Sequence, residues 1–169
     1  LKEKGGSSGA MSETERKDRL RTAVRDLITL TLNDTSTNVA TMDEGKTIVN
    51  QALEVIDTYI LNESPRDWAS KVNQTIGTAT DIADTYSHTA RVATFAALFA
   101  IGLKKGQPQI LALAGLFHDI GLTEVSEGIL NKPENRRSKD ELTSYQLHLD
   151  ASCKIIKERK LIVPEEVTK

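Results

Sequence analysis

Apolar residues in this chain recur every three or four positions and do not alternate with polar ones, which confines it to helices packed on helices. Ser12 and Glu15 have capping-box spacing, and Leu20, Ala23, Val24, Leu27 and Ile28 then form one apolar face. Leu30 to Thr41, rich in Thr, Asn, Asp and Ser, reads as a break. A second helix is expected from Asp43 to Tyr59, with Val49, Leu53, Ile56 and Ile60 on one side. Ser64-Pro65 suits another helix start, with Trp68 as its anchor. A helix over 80–101 would bury a stripe of His88, Val92, Phe95 and Phe99, its Ala residues allowing close packing and Gly102 capping its end. Pro108 opens a helix that runs to His118 and is stopped by Gly121.

Residues 122–137 read as a loop with one short helix near Val125–Leu130. Ser138 and Glu141 form a second capping box. The helix they open carries Leu142, Tyr145, His148, Ser152 and Ile155 on one face. Pro164-Glu165-Glu166 resembles a further first turn. The fold class expected is all-α. Gly-Gly-Ser-Ser-Gly at 5–9 has linker composition, so residues 1–10 are set aside as a linker, tag or disordered tail.

Charge excludes some functions. Lys and Arg number 22 against 24 Asp and Glu, a net charge of −2, whereas nucleic-acid binders carry a basic excess; none is expected as partner. The apolar runs Val92–Leu103 and Ile110–Phe117 fall short of the ~18–20 residues of a membrane span. The start Leu-Lys-Glu-Lys lacks the apolar stretch of a secretory signal. Cys153 is the single cysteine, so neither an internal disulfide nor a cysteine-based zinc site is available. A cytoplasmic location is expected.

The chain has three histidines, His88, His118 and His148, spaced by 30 residues each time and carried on three successive expected helices. Asp119 adjoins the second. Imidazole nitrogens with a carboxylate suit Fe, Mn, Zn or Ni, whereas Mg or Ca sites want more oxygen. Three hydrogen-bonded core histidines in a plain helical interaction domain are the alternative.

The segments His88-Thr-Ala-Arg91-Val92, Leu-Ala-Gly-Leu-Phe-His118-Asp119-Ile120-Gly121, Ile129-Leu130-Asn131-Lys132-Pro133 and Leu147-His148 resemble, in order and spacing, the HD superfamily of metal-dependent phosphohydrolases. The nearest branch is HD-GYP, whose members hydrolyse cyclic di-GMP. The likeness spans about residues 80–169 and implies the first half of such a domain, with further ligands beyond. Residues 11–79 would form an N-terminal helical domain for regulation or dimerisation, with a homodimer as one arrangement.

The resemblance implies His88, His118, Asp119 and His148 as metal ligands, with Asp119 placed to bridge two divalent ions, Fe or Mn, in a catalytic role. The implied reaction is attack of a metal-activated water on a phosphodiester, with cyclic di-GMP or a related nucleotide as partner. Leu122 stands where the family carries Lys, leaving Lys132 as the substrate-binding candidate. That departure motivates a second reading, a signalling module that binds nucleotide or a protein partner without turnover. Arg91 reads as a structural arginine, Asp81 and Asp84 as helix first-turn charges, and Cys153 as a small core residue. Glu124 and Glu127 are outside candidates for metal contact.

Overall fold

A computed structural model describes residues 12–32, 40–61 and 85–168. Among these, every regular element is helical. The linker 1–10, Ser64-Pro65, Trp68, Asp81 and Asp84 lie outside the described residues, as does most of the expected break after Leu30.

Helix α1 (Glu13–Leu32) starts where Ser12 accepts a hydrogen bond from the Glu15 amide. Its buried face is Leu20, Val24, Leu27 and Ile28. Helix α2 (Met42–Ile56) is fixed by a capping box: the Thr41 hydroxyl accepts from Glu44 N–H while the Glu44 carboxylate accepts from Thr41 N–H. That backbone bond, with the Thr41 hydroxyl, also lowers the Glu44 pKa. The helix continues through a wider turn over Asp57–Leu61. Its buried side is Ile48, Val49, Ala52, Ile56 and Ile60, while Leu53 is only half-buried.

Helices α3 (Thr85–Leu103) and α4 (Pro108–Phe117) are the most closely packed pair. A β-carbon added at Gly115 of α4 would lie 2.6 Å from the Ala93 Cα of α3, so the contact requires glycine against alanine. This corrects the expected α3 stripe. Thr89, Ala90, Ala93, Ala97, Leu98 and Ala100 are buried, whereas His88 is exposed, Val92 and Phe95 are half-buried, and Phe99 stands 47% exposed. A larger side chain at the Ala93–Gly115 contact would hold the two backbones apart.

The end of α3 also differs from expectation. Gly102 is helical, and Lys104 takes the left-handed conformation with φ 51°. Lys104 N–H bonds to Ile101 O and Lys105 N–H to Ala100 O, the paired bonds that close a helix end.

After α4 the chain makes a 3₁₀ turn (Ile120–Glu124), a short helix α5 (Glu127–Leu130) and another 3₁₀ turn (Glu134–Arg136). Helix α6 (Lys139–Gln146) has the expected Ser138/Glu141 capping box. The single helix expected here is two, because Leu147 interrupts the regular geometry (ψ −12°) before α7 (His148–Glu158). A last 3₁₀ turn spans Glu165–Val167.

One contiguous core joins α1 and α2 to α3, α4 and α7. Val24, Ile48, Ile56, Leu113, Leu116 and Phe117 are fully buried at its centre, each contributing about 1.5–3 kcal/mol by the area it removes from water. This core anchors α4, whose C-terminal end carries His118 and Asp119. Among the described residues, no helix is long and apolar enough to cross a membrane.

Candidate metal centre

Three histidines far apart in sequence converge on one carboxylate. His118 caps the end of α4, and Asp119 follows it before the 3₁₀ turn. His148 opens α7, directly after the α6–α7 break, and His88 reaches in from the first turns of α3. Asp119 Oδ2 lies 3.0 Å from His118 Nε2 and 3.5 Å from His88 Nε2, and Oδ1 lies 3.3 Å from His148 Nε2. The four residues expected from the sequence therefore come together, three imidazoles around the two oxygens of Asp119.

The local backbone orients two of the rings. An α-helix leaves its last carbonyls without intrahelical donors. His118 Nδ1–H donates to the Gly115 carbonyl at 2.9 Å, and His148 Nδ1–H donates to that of Tyr145. Each acceptor lies three residues back, in the final turn of the preceding helix. A carbonyl only accepts, so the proton on these rings sits on Nδ1 and the Nε2 lone pair points to the carboxylate. The Tyr145 ring packs against His148 with centroids 5.0 Å apart, and the Arg137 guanidinium covers its own face at 4.1 Å. Arg137 Nε also donates to the Ile129 carbonyl, fastening α5 to this wall.

A lone pair facing a carboxylate oxygen at 3.0–3.3 Å is repulsive unless a proton or a cation lies between them. The titration behaviour reflects this. Burial is the largest influence on His118 and acts to lower its pKa, yet the hydrogen bond and charge of Asp119, with the Gly115 contact, raise it overall. Burial likewise pushes the Asp119 pKa upward, but the His118 hydrogen bond and the surrounding imidazoles bring it below the usual value. His88 shifts down, first through burial and then through the neighbouring charges of His118 and Arg91, against the pull of Asp119.

The donor set fits a cation. His88, His118 and Asp119 offer ligand atoms all within 4.8 Å of one another. Two donors each at an ordinary metal distance from one ion stand no more than ~4.2 Å apart, and the 3.0 and 3.5 Å separations of Asp119 Oδ2 from His118 and His88 Nε2 lie inside that limit. Nitrogen-rich donors favour a transition metal over Mg or Ca. Exposure grades across the centre: the His148 side chain is 9% exposed, that of Asp119 14%, that of His118 30% and that of His88 48%. The open side is therefore the His88 side.

The other sequence candidates are engaged elsewhere. Lys132 pairs with Glu141 at the start of α6, and the Lys132 hydrogen bond, with that of the Ser138 amide, lowers the Glu141 pKa. Glu124 faces Lys154 at 3.9 Å. Cys153 is half-buried, its thiol 3.8 Å from the Thr168 carbonyl.

Gly121 acts differently from the helix stop expected of it. The helix has already ended at Phe117, and a β-carbon at Gly121 would lie 2.1 Å from the His148 carbonyl oxygen. It permits the turn after Asp119 to touch the start of α7. Sequence reasoning did not assign the orienting carbonyls of Gly115 and Tyr145. For His118 the available signal was positional, since it was expected at a helix end with its acceptor at i−3; for His148 the helix end was itself hidden.

This geometry agrees with the comparisons between sequences. Residues 85–167 match the family model described as HD domain. No curated protein and no solved structure gave a match. The HD domain match supports the metal-dependent phosphohydrolase superfamily that the motifs resemble and a phosphoester as its class of substrate. Its four histidine and aspartate candidates come from α3, α4 with the following turn, and α7.

Proposed function

We propose that this HD domain is a metal-dependent phosphodiesterase, with His88, His118, Asp119 and His148 as ligands and cyclic di-GMP or a related nucleotide as substrate. The observation that carries the reading is the set of three imidazole Nε2 atoms facing one carboxylate, two of them fixed as lone-pair donors by helix-end carbonyls. A divalent transition metal, Fe or Mn, would supply Lewis acidity there, activating water and polarising a phosphoryl oxygen. Asp119 presents an oxygen on each side, which suits a bridging role in a binuclear centre. His118 and His148 hold fixed tautomers, and His88 borders the side open to substrate. Residues 11–79 are proposed to serve regulation or dimerisation.

The test is hydrolysis of cyclic di-GMP and of bis(p-nitrophenyl) phosphate by protein reconstituted with Mn or Fe, beside Asp119→Asn. Metal-dependent turnover that disappears in the variant supports the reading. Bound metal with no turnover of either compound refutes the enzymatic part.

A second reading is favoured by Leu122 and by the engagement of Lys132 with Glu141. Neither residue offers a free ammonium to substrate phosphate. In that reading the domain binds nucleotide or a protein partner and signals without turnover. Cyclic di-GMP binding without hydrolysis supports it, and hydrolysis gained in Leu122→Lys would locate the loss.

A further inference from the structure

Asp119 can meet His118 and His148 together only if the end of α4 and the start of α7 keep a fixed separation. These segments are 30 residues apart in sequence and carry three of the four proposed ligands. Their backbones meet at one side chain. The Ser152 hydroxyl lies 2.8 Å from the His118 carbonyl and 2.9 Å from the His148 carbonyl, and it accepts the Gly121 N–H at 2.9 Å. Ser152 is 4% exposed, so none of these groups has water as a ready substitute.

A hydroxyl has one proton, and two carbonyls compete for it. Within α7 the Ser152 N–H is itself the regular donor to the His148 carbonyl, four residues back. The His118 carbonyl, at the end of α4, has no such helical partner. The hydroxyl proton is therefore needed most at His118. With Gly121 N–H received on the oxygen, Ser152 ties the chain on both sides of Asp119 to the turn that begins with His148. Gly121 makes the approach possible, since a β-carbon there would sit 2.5 Å from the Ser152 nitrogen.

We propose that Ser152 is a positioning residue for the metal centre: its hydroxyl sets the separation between the His118–Asp119 turn and His148. The inference rests on the proposed metal reading and deepens it by naming what aligns the ligands. Ser152 touches neither the ion nor the substrate.

The experiment is Co(II) titration of the full chain, parent against Ser152→Ala, Ser152→Cys and Thr31→Val, with thermal unfolding of each. Thr31 is a fully buried hydroxyl on α1 that donates to the Leu27 carbonyl at 2.8 Å, so its loss reports a stability effect away from the centre. Groups that hold metal ligands in place typically change affinity ~10–100-fold when removed. The expected result is Co(II) binding weakened ~10–100-fold in Ser152→Ala, less in Ser152→Cys with its weak donor, and unchanged in Thr31→Val. Parental affinity in Ser152→Ala overturns the proposal, and so does an equal loss in Thr31→Val. If Ser152→Ala does not fold, Ser152→Cys carries the comparison, and parental affinity there overturns it. A parent chain that binds no Co(II) instead refutes the metal reading. The exchange rate of the Gly121 amide then decides for Ser152: acceleration in the variant supports the tie, and an unchanged rate overturns it.

Discussion

Gly121→Ala is the substitution whose consequence follows most directly from the packing. The added methyl carbon would stand 2.1 Å from the His148 carbonyl oxygen, 2.5 Å from the Ser152 nitrogen and 2.9 Å from the Ala151 Cβ. Two of those three atoms are backbone, so no rotamer change removes the clash. Restoring an ordinary contact of 3.4 Å to His148 O requires the turn and α7 to part by about 1.3 Å, a displacement a close-packed interior resists. Forced overpacking costs roughly 1–3 kcal/mol. Losing the buried Gly121 N–H bond to Ser152 adds about 1 kcal/mol. The expected destabilisation is about 2–4 kcal/mol. The same opening lengthens the 3.3 Å approach of His148 to Asp119, so metal affinity should fall with stability. Gly128→Ala is the control, because a β-carbon there meets nothing within 4 Å and Ala lowers the entropy of the unfolded chain. Urea unfolding and Mn(II) titration of the two variants check the comparison. A Gly121→Ala protein within about 0.5 kcal/mol of the parent, the range of an ordinary surface substitution, would refute the reasoning.

His118→Ala and Asp119→Asn should each abolish stoichiometric metal binding, measured by elemental analysis after gel filtration, and retained metal in either contradicts the ligand assignment. In the metal-free protein the raised His118 pKa contributes stability below pH 6.5 that is lost as pH rises through the folded value, and the lowered Asp119 pKa contributes stability above pH 3.8 that is lost as pH falls through its folded value. The lowered His88 pKa works against protonation, costing stability as pH drops below 6.5. Since a metal must displace the proton from His118, Mn(II) should raise the unfolding temperature more at pH 8 than at pH 6, and an equal rise at both would contradict the site. Ser138→Ala removes the acceptor for the Glu141 amide and should cost about 1 kcal/mol in chemical unfolding, with a loss below about 0.3 kcal/mol arguing against the cap.

The helical class and the N-terminal caps at Ser12 and Ser138 were legible because both depend on local chemistry. The gathering of His88, His118, Asp119 and His148 was legible through the resemblance, which carried order and spacing that composition does not hold. The inner face of α3 was not. Bulk along His88, Val92, Phe95 and Phe99 suggested a core stripe, but the Gly115–Ala93 contact selects small residues where the helices touch, so His88 and Phe99 turn outward, Val92 and Phe95 stay half-buried, and the bulk that is buried is Leu98. The bend at Leu147 was hidden because Leu favours helix and no glycine or proline marks the break. Lys104 ends α3 in a conformation that Gly102 would have adopted at no steric cost, so the nearest glycine misled. Ser152 stood on the expected His148 face, but two of its three partners lie 31 and 34 residues away, a separation invisible to any local pattern.

The central claim is that the carboxylate of Asp119 and the imidazoles around it hold a transition metal. Elemental analysis of the protein purified anaerobically, beside His118→Ala prepared in parallel, tests it most directly. The account predicts stoichiometric Fe or Mn in the parent and its loss in the variant. A parent free of both metals, and unable to take up Mn(II) or Fe(II) on reconstitution, would contradict it and leave the three histidines as structural residues.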